Sequence, residues 1–254
     1  MKREFKRVAA VEKCFSILNL LAETGKPLGV SEISKALTFN KSTVFNTVHT
    51  LCELGILEAQ GGTKFWFGTD LYLLGKAAGR GSELIQTVHP FLEKINKETK
   101  LSAFLGIRSG QQAVLLDKID DAFDIKISSE VGMRLPLLGG AGGKALLSQL
   151  PDAEIDRIIA ANELRQFTPL TCVDKAAYRQ SVMKVREEGI VLDREEYIEG
   201  VIAFAVPLQT PRKGLQAAIW AVGLRRQVTE EMVPEFSGLL KNIAGAINLR
   251  FSLV

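Results

Sequence analysis

Cysteine and histidine are scarce in this sequence of 254 residues, which contains 3 cysteines and 2 histidines. Cys14, Cys52 and Cys172 lie far apart, and no two of them form a CxxC pair. An odd number of isolated cysteines is typical of thiols in a reducing cytoplasm, whereas a zinc site needs clustered ligands. We therefore expect no metal site and no cofactor.

Long apolar runs are also missing. The longest stretch without Asp, Glu, Lys or Arg extends only from Gly200 to Pro211, and a membrane-spanning helix needs about 20 apolar residues. The basic N-terminus is followed by an apolar run that Glu12 and Lys13 interrupt, so it does not fit a signal peptide. These features predict a cytoplasmic protein with no membrane segment.

Positive and negative side chains nearly balance over the whole chain, but they are unevenly distributed along it. Lys and Arg number 32 and Asp and Glu 29, so the formal net charge is +3. Residues 1–80 contain 11 basic and 7 acidic side chains, whereas residues 81–254 contain 21 basic and 22 acidic ones. A small basic unit joined to a larger, nearly neutral one predicts an anionic partner for the first unit.

The first eighty residues contain three helical patterns. Apolar residues recur at three- and four-residue spacing from Val8 to Glu23, which predicts an amphipathic helix that ends at Gly25. Ser31 is predicted to cap a short second helix. Asn40 is predicted to cap a third helix, which spans Lys41 to Leu54.

Two short strand patterns, Ile56–Ala59 and Phe65–Phe67, flank a glycine turn and predict a hairpin. Three helices and a hairpin in this order make a winged helix-turn-helix, whose third helix enters the major groove of DNA. The outward face of that helix suits this role, because it is polar and carries no carboxylate before Glu53. The residues predicted to contact double-stranded DNA are Ser31, Lys41, Ser42, Thr43, Asn46, His49 and Lys64.

Each signal in this region also has a plainer explanation. A three-helix unit can simply pack against another surface, and His49 can be a solvated helix residue. Trp66 is interpreted as part of the hairpin core rather than as a platform for base stacking. The agreement of the basic excess, the capped third helix and the hairpin favours DNA binding.

A further helix begins after Thr69, and Gly79 to Ser82 interrupts the pattern. The predicted division is a winged helix-turn-helix domain at 1–68, a linker helix at 69–81 and a larger domain at 82–254. In the last of these, strand pairs joined by short turns alternate with helices, which predicts an α+β fold with a mainly antiparallel sheet flanked by helices. Strands are expected at 103–107, 113–116, 123–128, 190–192, 201–208 and 215–223, and helices at 83–99, 143–149, 152–161, 175–188 and 229–251.

The glycine-rich segment from Leu138 to Ala145 leaves several interpretations open. A nucleoside-triphosphate loop would need Gly in place of Leu138 and Ser or Thr in place of Ala145. Gly140, Gly142 and Ala145 match a loose dinucleotide fingerprint, but no βαβ unit surrounds them. The remaining interpretations are free amides at a helix N-terminus that face a small ligand, or a helix start that needs close packing.

The sequence shows no convincing catalytic group. No Ser, Cys or His stands in a nucleophile–base pattern, so we expect no enzyme. Asp193, Glu195 and Glu196 are neighbouring carboxylates near a strand end, and acid–base chemistry would need a substrate that the sequence does not reveal. A charged turn is the preferred interpretation.

With these motifs in place, the chain resembles the IclR family of bacterial transcriptional regulators along nearly its whole length. The resemblance implies a winged helix that dimerises and a GAF-like effector-binding domain at 82–254. It also implies a homodimer or homotetramer that acts on a pseudo-palindromic operator as a repressor or an activator, and for this chain a repressor is the preferred prediction. The stretches that carry it are Val11–Leu21, Leu37–Leu54, Phe67–Ala77, Pro136-Leu137, Ala141, Gly143–Leu147, Asp193, Glu195-Glu196, Gly200, Ala205 and Pro207.

The departures from the family pattern concern the pocket that the resemblance implies. Leu138 stands where a His is usual, Ala203 where a Cys is frequent, and Trp220 and Val222 at two Ser positions. Because burying a carboxylate without matched donors is costly, this pocket predicts an aromatic or otherwise hydrophobic effector. The residues carried over as its lining are Leu138, Gly140, Ala141, Asp193, Ala203, Trp220 and Val222.

Three hypotheses therefore follow from the sequence. The first is a DNA-binding regulator that responds to a small molecule. The second is an oligomeric DNA-binding protein without an effector, and the third is an enzyme that uses the glycine-rich segment on a nucleotide. The winged helix separates the first two from the third, and a shift of DNA affinity on adding a small molecule separates the first from the second.

Overall fold

A computed structural model describes residues 6–80, 82–120, 129–210, 212 and 214–252. The chain forms two compact units, Met1–Gly81 and Ser82–Val254. Within the described residues, no helix is both long and apolar enough to cross a membrane. The predicted strand at 123–128 lies outside the described residues.

The first unit contains the predicted helices and hairpin. Its three-stranded antiparallel sheet has the order β1-β3-β2, and the two-residue strand β1 was not predicted because it is too short to show a period. Its elements are α1 (Ala9–Thr24), β1 (Leu28–Gly29), α2 (Val30–Leu37), α3 (Lys41–Glu53), β2 (Leu57–Gln60), β3 (Lys64–Phe67) and α4 (Thr69–Arg80).

One capping prediction in this unit is wrong. The N-cap of α2 is Gly29, whose N–H donates to Oε2 of Glu32 at 2.7 Å, and Ser31 lies inside the first turn. Because Leu28 pairs with Phe65 and holds the chain extended up to Gly29, the helix begins at the next residue. Asn40 does occupy the N-cap position of α3, although no side-chain capping bond forms there in this part of the structure.

The second unit is built on a six-stranded sheet of order β6-β5-β4-β9-β8-β7 in which all neighbours are antiparallel. The predicted α+β class with flanking helices is confirmed. The segment 134–136, where no strand was predicted, forms an antiparallel edge strand beside β5. The elements are α5 (Glu83–Thr99), β4 (Ser102–Ser109), β5 (Gln112–Ile119), β6 (Arg134–Pro136), α6 (Gly140–Leu147), α7 (Asp152–Ala161), α8 (Lys175–Glu188), β7 (Val191–Arg194), β8 (Val201–Leu208), β9 (Ala217–Leu224) and α9 (Met232–Ser252).

The two faces of this sheet carry different side chains. Successive residues of a strand point to opposite faces, and in β8 the large Phe204 joins the core beneath α5 and α9, whereas Ala203 and Ala205 face the other way. The second face packs against α6 and α8. Its small alanines leave space between the sheet and α6, and that space is a cavity.

Candidate functional site

One candidate surface is the exposed stripe of α3. Ser42, Phe45, Asn46 and His49 are all exposed and follow the spacing i, i+3, i+4 and i+7, so they share one helix face. The opposite face is the buried one predicted from Val44 and its neighbours. The stripe thus faces away from the core of its own unit.

The other predicted DNA contacts lie around this stripe. Lys41 is exposed in the first turn of α3, and Thr43 is half-buried. Lys64 is exposed at the first position of β3, next to the turn of the hairpin. Ser31 is exposed on α2. A helix N-terminus with free N–H groups and nearby lysines is a favourable place for phosphate.

Phe45 was missed by the sequence analysis, although it is an apolar residue between two polar members of the stripe. Its ring centroid lies 4.2 Å from that of His49, and the His49 ring lies 5.5 Å from the ring of Phe65. Trp66 is half-buried with its ring 4.8 Å from that of Phe67, as expected for the core of a hairpin.

The second candidate site is the cavity between the sheet and the start of α6. The cavity has a volume of about 140 Å³. Six of the seven residues that the resemblance placed in a pocket line it: Gly140, Ala141, Asp193, Ala203, Trp220 and Val222.

Leu138 does not line this cavity. The N–H of Gly139 donates to the oxygen of Pro136 at 3.1 Å, which closes a tight turn before α6. Leu138 instead borders a separate groove beside Pro136 and Phe167.

The remaining lining residues were not found from the sequence. The strand pattern gave no signal of which sheet face would carry the cavity, and Tyr197 and Ile198 lie in a turn with no regular period. These residues are Phe104, Ala113, Leu115, Ser129, Met133, Leu135, Gly139, Gly142, Gly143, Tyr197, Ile198 and Val201.

The glycines at the start of α6 are explained by close packing. A Cβ atom on Gly143 would clash with the backbone oxygen of Leu137. One on Gly142 would lie 3.2 Å from three ring atoms of Trp220, tighter than ordinary van der Waals contact. The interpretation of this segment as a tightly packed helix start is therefore favoured over a nucleotide loop.

Asp193 dominates the electrostatics of the cavity. Its side chain is 4% exposed, and its Oδ1 accepts the backbone N–H of Glu196 at 2.7 Å. Burial raises the pKa of Asp193 to about 6, and the Glu196 carboxylate adds to this, whereas the backbone N–H groups of Glu196 and Ala141 and the ammonium of Lys144 oppose it. A built-in carboxylate thus already faces the first turn of α6.

Glu195 and Glu196 lie in the turn after β7, and both carboxylates have partners there. The Nζ of Lys144 donates to both carboxylate oxygens of Glu196, at 2.7 and 2.8 Å, and Oε2 of Glu195 accepts the N–H of Gly200 at 2.8 Å. Lys144 is 3% exposed and its Nζ lies 5.6 Å from the ring centroid of Tyr178. Since Lys144 neutralises Glu196, it is not a free cation for a ligand.

Comparison with known proteins assigns both units. The C-terminal domain of the bacterial transcriptional regulator IclR matches residues 77–249, and the IclR helix-turn-helix domain matches residues 10–61. The chain belongs to the IclR family. It is a DNA-binding transcriptional regulator.

Individual relatives agree with this IclR assignment. The chain is 27% identical to the transcriptional repressor AllR of Salmonella typhi over 249 residues, which cover 98% of this chain and 92% of AllR. An IclR regulator of Alicyclobacillus acidocaldarius superposes with a TM-score of 0.85 at 21% identity, covering 96% and 99% of the two chains. An IclR homologue of Microbacterium hydrocarbonoxydans, solved in complex with 4-hydroxybenzoate, superposes with a TM-score of 0.80 at 20% identity, covering 96% and 100%. The two structural matches establish a common IclR fold.

Proposed function

We propose that this IclR-family protein is a repressor whose operator affinity changes when a small aromatic or hydrophobic molecule enters the cavity beside α6. The observation that carries the proposal is the cavity itself, about 140 Å³ in size and bordered by Trp220, Phe104 and Val222. An apolar cavity of about 150 Å³ holds one benzene ring. The repressor AllR and the 4-hydroxybenzoate complex of a relative support the sign of regulation and the ring-sized ligand.

The charge of the lining narrows the ligand class. Among the described lining residues, Asp193 is the one with a carboxylate, and none is Lys or Arg. A ligand carboxylate would face Asp193 without a cation to neutralise either group, and that arrangement is costly in a buried site. We therefore propose a neutral effector whose polar end donates a hydrogen bond to Asp193.

Benzyl alcohol and benzoate, which have the same ring, test this proposal. We expect the affinity of benzyl alcohol to rise by no more than about fourfold between pH 5.5 and 8, because it donates to the ionised form of Asp193. Benzoate needs a proton between its carboxylate and Asp193, so its affinity is expected to fall by about tenfold per pH unit above about 6. Isothermal titration calorimetry measures both affinities, and fluorescence anisotropy of a bound DNA duplex measures the effect on operator affinity.

The Asp193→Asn variant is the control, because its side chain cannot ionise. It should bind benzoate without the pH slope. Tight benzoate binding at pH 8 by the unaltered protein would contradict the proposed ligand class. If neither ring compound nor larger aromatics bind or alter DNA affinity, the effector proposal itself fails and an oligomeric DNA-binding protein without an effector takes its place.

We further propose that residues 1–68 contact a pseudo-palindromic operator, with 69–81 as a linker helix and 82–254 as the effector-binding domain, and that the protein acts as a homo-oligomer. The apolar Val11 and Phe15 of α1, and Val8 at its N-cap, are all more than half exposed and lie on one side of the helix. On α4 Tyr72 and Leu74 are 62% and 60% exposed. Exposed apolar helix faces of this kind are typical of protein–protein interfaces.

Phe15→Glu is expected to disrupt this interface, because it places a charge on the apolar face of α1. We expect sedimentation velocity to show a shift from dimer to monomer and DNA affinity to fall at least tenfold. Leu170→Glu is a matched control, since Leu170 and Phe15 are each 61% exposed but Leu170 lies in the second unit. An unchanged dimer in the Phe15→Glu variant would show that this face is not the interface.

We also propose that the protein is not an enzyme and works in the cytoplasm. The glycine-rich segment is used for packing against Leu137 and Trp220. Within the described parts of the chain, no group of three or more His, Cys, Asp or Glu side chains is placed to hold a metal ion. All three cysteines are free thiols, which suits a reducing compartment.

A further inference from the structure

We propose that Phe45 reads the C5-methyl group of a thymine in the major groove, and that His49 positions the Phe45 ring rather than reading a base edge itself. Phe45 is 51% exposed in the middle of the α3 stripe, between Ser42 and His49. The stripe faces away from the core of the winged-helix unit, which Val44 and Val48 fill from the opposite side of α3. Phe45 is therefore an apolar residue on an otherwise polar face, and this inference rests on the proposed contact of that face with the operator.

Aromatic contacts connect Phe45 to the hairpin through His49. The His49 ring lies 4.2 Å from the Phe45 ring at an interplanar angle of 49°. The His49 ring also contacts the ring of Phe65 edge-on, at a centroid distance of 5.5 Å and an interplanar angle of 82°. Phe65 is 3% exposed. Because His49 lies between a buried ring and an exposed one, it limits the positions open to Phe45.

The polar groups around Phe45 define what it can contact. The hydroxyls of Thr47 and Thr50 donate to backbone oxygens of α3, at 2.8 Å each, so they are already used within the helix. Ser42 and Asn46 remain as the polar neighbours of Phe45 along the stripe. Asn pairs with adenine, and the C5-methyl of thymine is the apolar group that the major groove offers to a Phe side chain. The stripe thus fits an A·T-containing step.

A comparison of thymine with uracil tests this directly, since the two bases differ only by the methyl group. The full-length protein first selects duplexes from a random-sequence library, and the enriched duplex is then made with uracil in place of each thymine in turn. We expect one or two positions in each half-site at which uracil weakens binding about fourfold, the value of one buried methyl group. Phe45→Ala should bind the thymine duplex about that much more weakly and be insensitive to uracil at those positions.

The role of His49 is tested by the thymine-to-uracil affinity ratio, which a purely structural defect would not change. His49→Ala should bring this ratio close to one, and His49→Phe, which keeps a ring between Phe45 and Phe65, should restore it. Asn46→Ala is the matched control on the same face, and it should weaken binding while keeping the ratio.

Several results would overturn the proposal. They are equal binding of thymine and uracil duplexes by the unaltered protein, and retention of the uracil effect by Phe45→Ala. Failure of the library to enrich any sequence would contradict the proposed operator contact itself, and this inference with it. A change in sedimentation but not in DNA binding for Phe45→Ala would assign the exposed ring to a protein contact instead. Circular dichroism of each variant checks that the helices are intact.

Discussion

Replacing Lys144 with methionine is expected to lower the free energy of unfolding of the second unit by about 3–5 kcal/mol, because it leaves a carboxylate in a largely buried site without its cation. Lys144 is 3% exposed and donates to both oxygens of Glu196. Asp193 lies close enough to Glu196 for its pKa to be raised by it. The variant therefore contains two neighbouring carboxylates and loses the cation that lowers the pKa of one of them.

The loss of unfolding free energy in Lys144→Met should depend on pH. Without Lys144 the pKa of Asp193 in the folded protein rises further above its unfolded value, so the stabilisation by its protonated form is lost as the pH rises through the folded pKa. The deficit relative to the unaltered protein is thus expected to be larger at pH 8 than at pH 5. The chain has 2 tryptophans, and in a Trp66→Phe background the fluorescence of Trp220 reports urea unfolding of the second unit alone.

Lys184→Met is the matched control. Lys184 forms a pair with Glu188 at 3.4 Å, but its side chain is 66% exposed, and surface pairs of this kind contribute less than about 1 kcal/mol. The double variant Lys144→Met/Glu196→Leu should recover most of the loss, because it removes both charges. Equal effects of Lys144→Met and Lys184→Met would show that the Lys144–Glu196 pair is not an important part of the fold.

Trp220→Ala is expected to cost about 3–5 kcal/mol, the usual range when a buried Trp is truncated. Trp220 is 5% exposed, and its ring packs closely against Gly106 and Gly142. The substitution also merges the volume of the indole with the cavity. Urea unfolding followed by far-ultraviolet circular dichroism measures the loss.

Indole added to Trp220→Ala should occupy the space that the substitution opens. At a concentration one hundred times its dissociation constant, a ligand that binds only the folded state stabilises it by about 2.7 kcal/mol. We expect indole to raise the melting temperature of Trp220→Ala and to leave that of Trp220→Phe nearly unchanged, since Phe retains most of the ring. No rescue by indole, together with a small loss of stability, would mean that the surrounding residues collapse into the space.

Much of the fold was predictable because its signals are local. The helices at 83–99, 152–161 and 175–188 and the strand at 201–208 were predicted with the bounds that the structure has. Each is defined by an apolar period together with capping or turn residues, such as Asp174, whose Oδ1 accepts the N–H of Ala177 at 2.7 Å. The strands β1 and β6 were missed because short edge strands exist only through their partners.

The candidate sites were predictable in part. The resemblance located six cavity residues on four separate elements, and the composition of α3 located its polar stripe. The position of Leu138 outside the cavity could not be read from the sequence, because it depends on the turn closed between Gly139 and Pro136. The burial of Asp193 and the aromatic contacts of His49 depend likewise on segments that are distant along the chain.

The sequence by itself determined that this protein has few cysteines and histidines, no long apolar run, and its basic excess in the first eighty residues. These properties depend only on composition and residue order. They argue against disulfide-bonded, zinc-binding and membrane-spanning proteins, whatever the fold. Only the tertiary structure decided the roles of the glycines and charges near α6. A glycine is required at position 143 because the backbone oxygen of Leu137 lies where a Cβ atom would be. Lys144 is paired because the carboxylate of Glu196, in the turn after β7, accepts its hydrogen bonds. Contacts of this kind arise from the pairing of strands and the packing of helices on them, so the local periodicity of the sequence does not predict them.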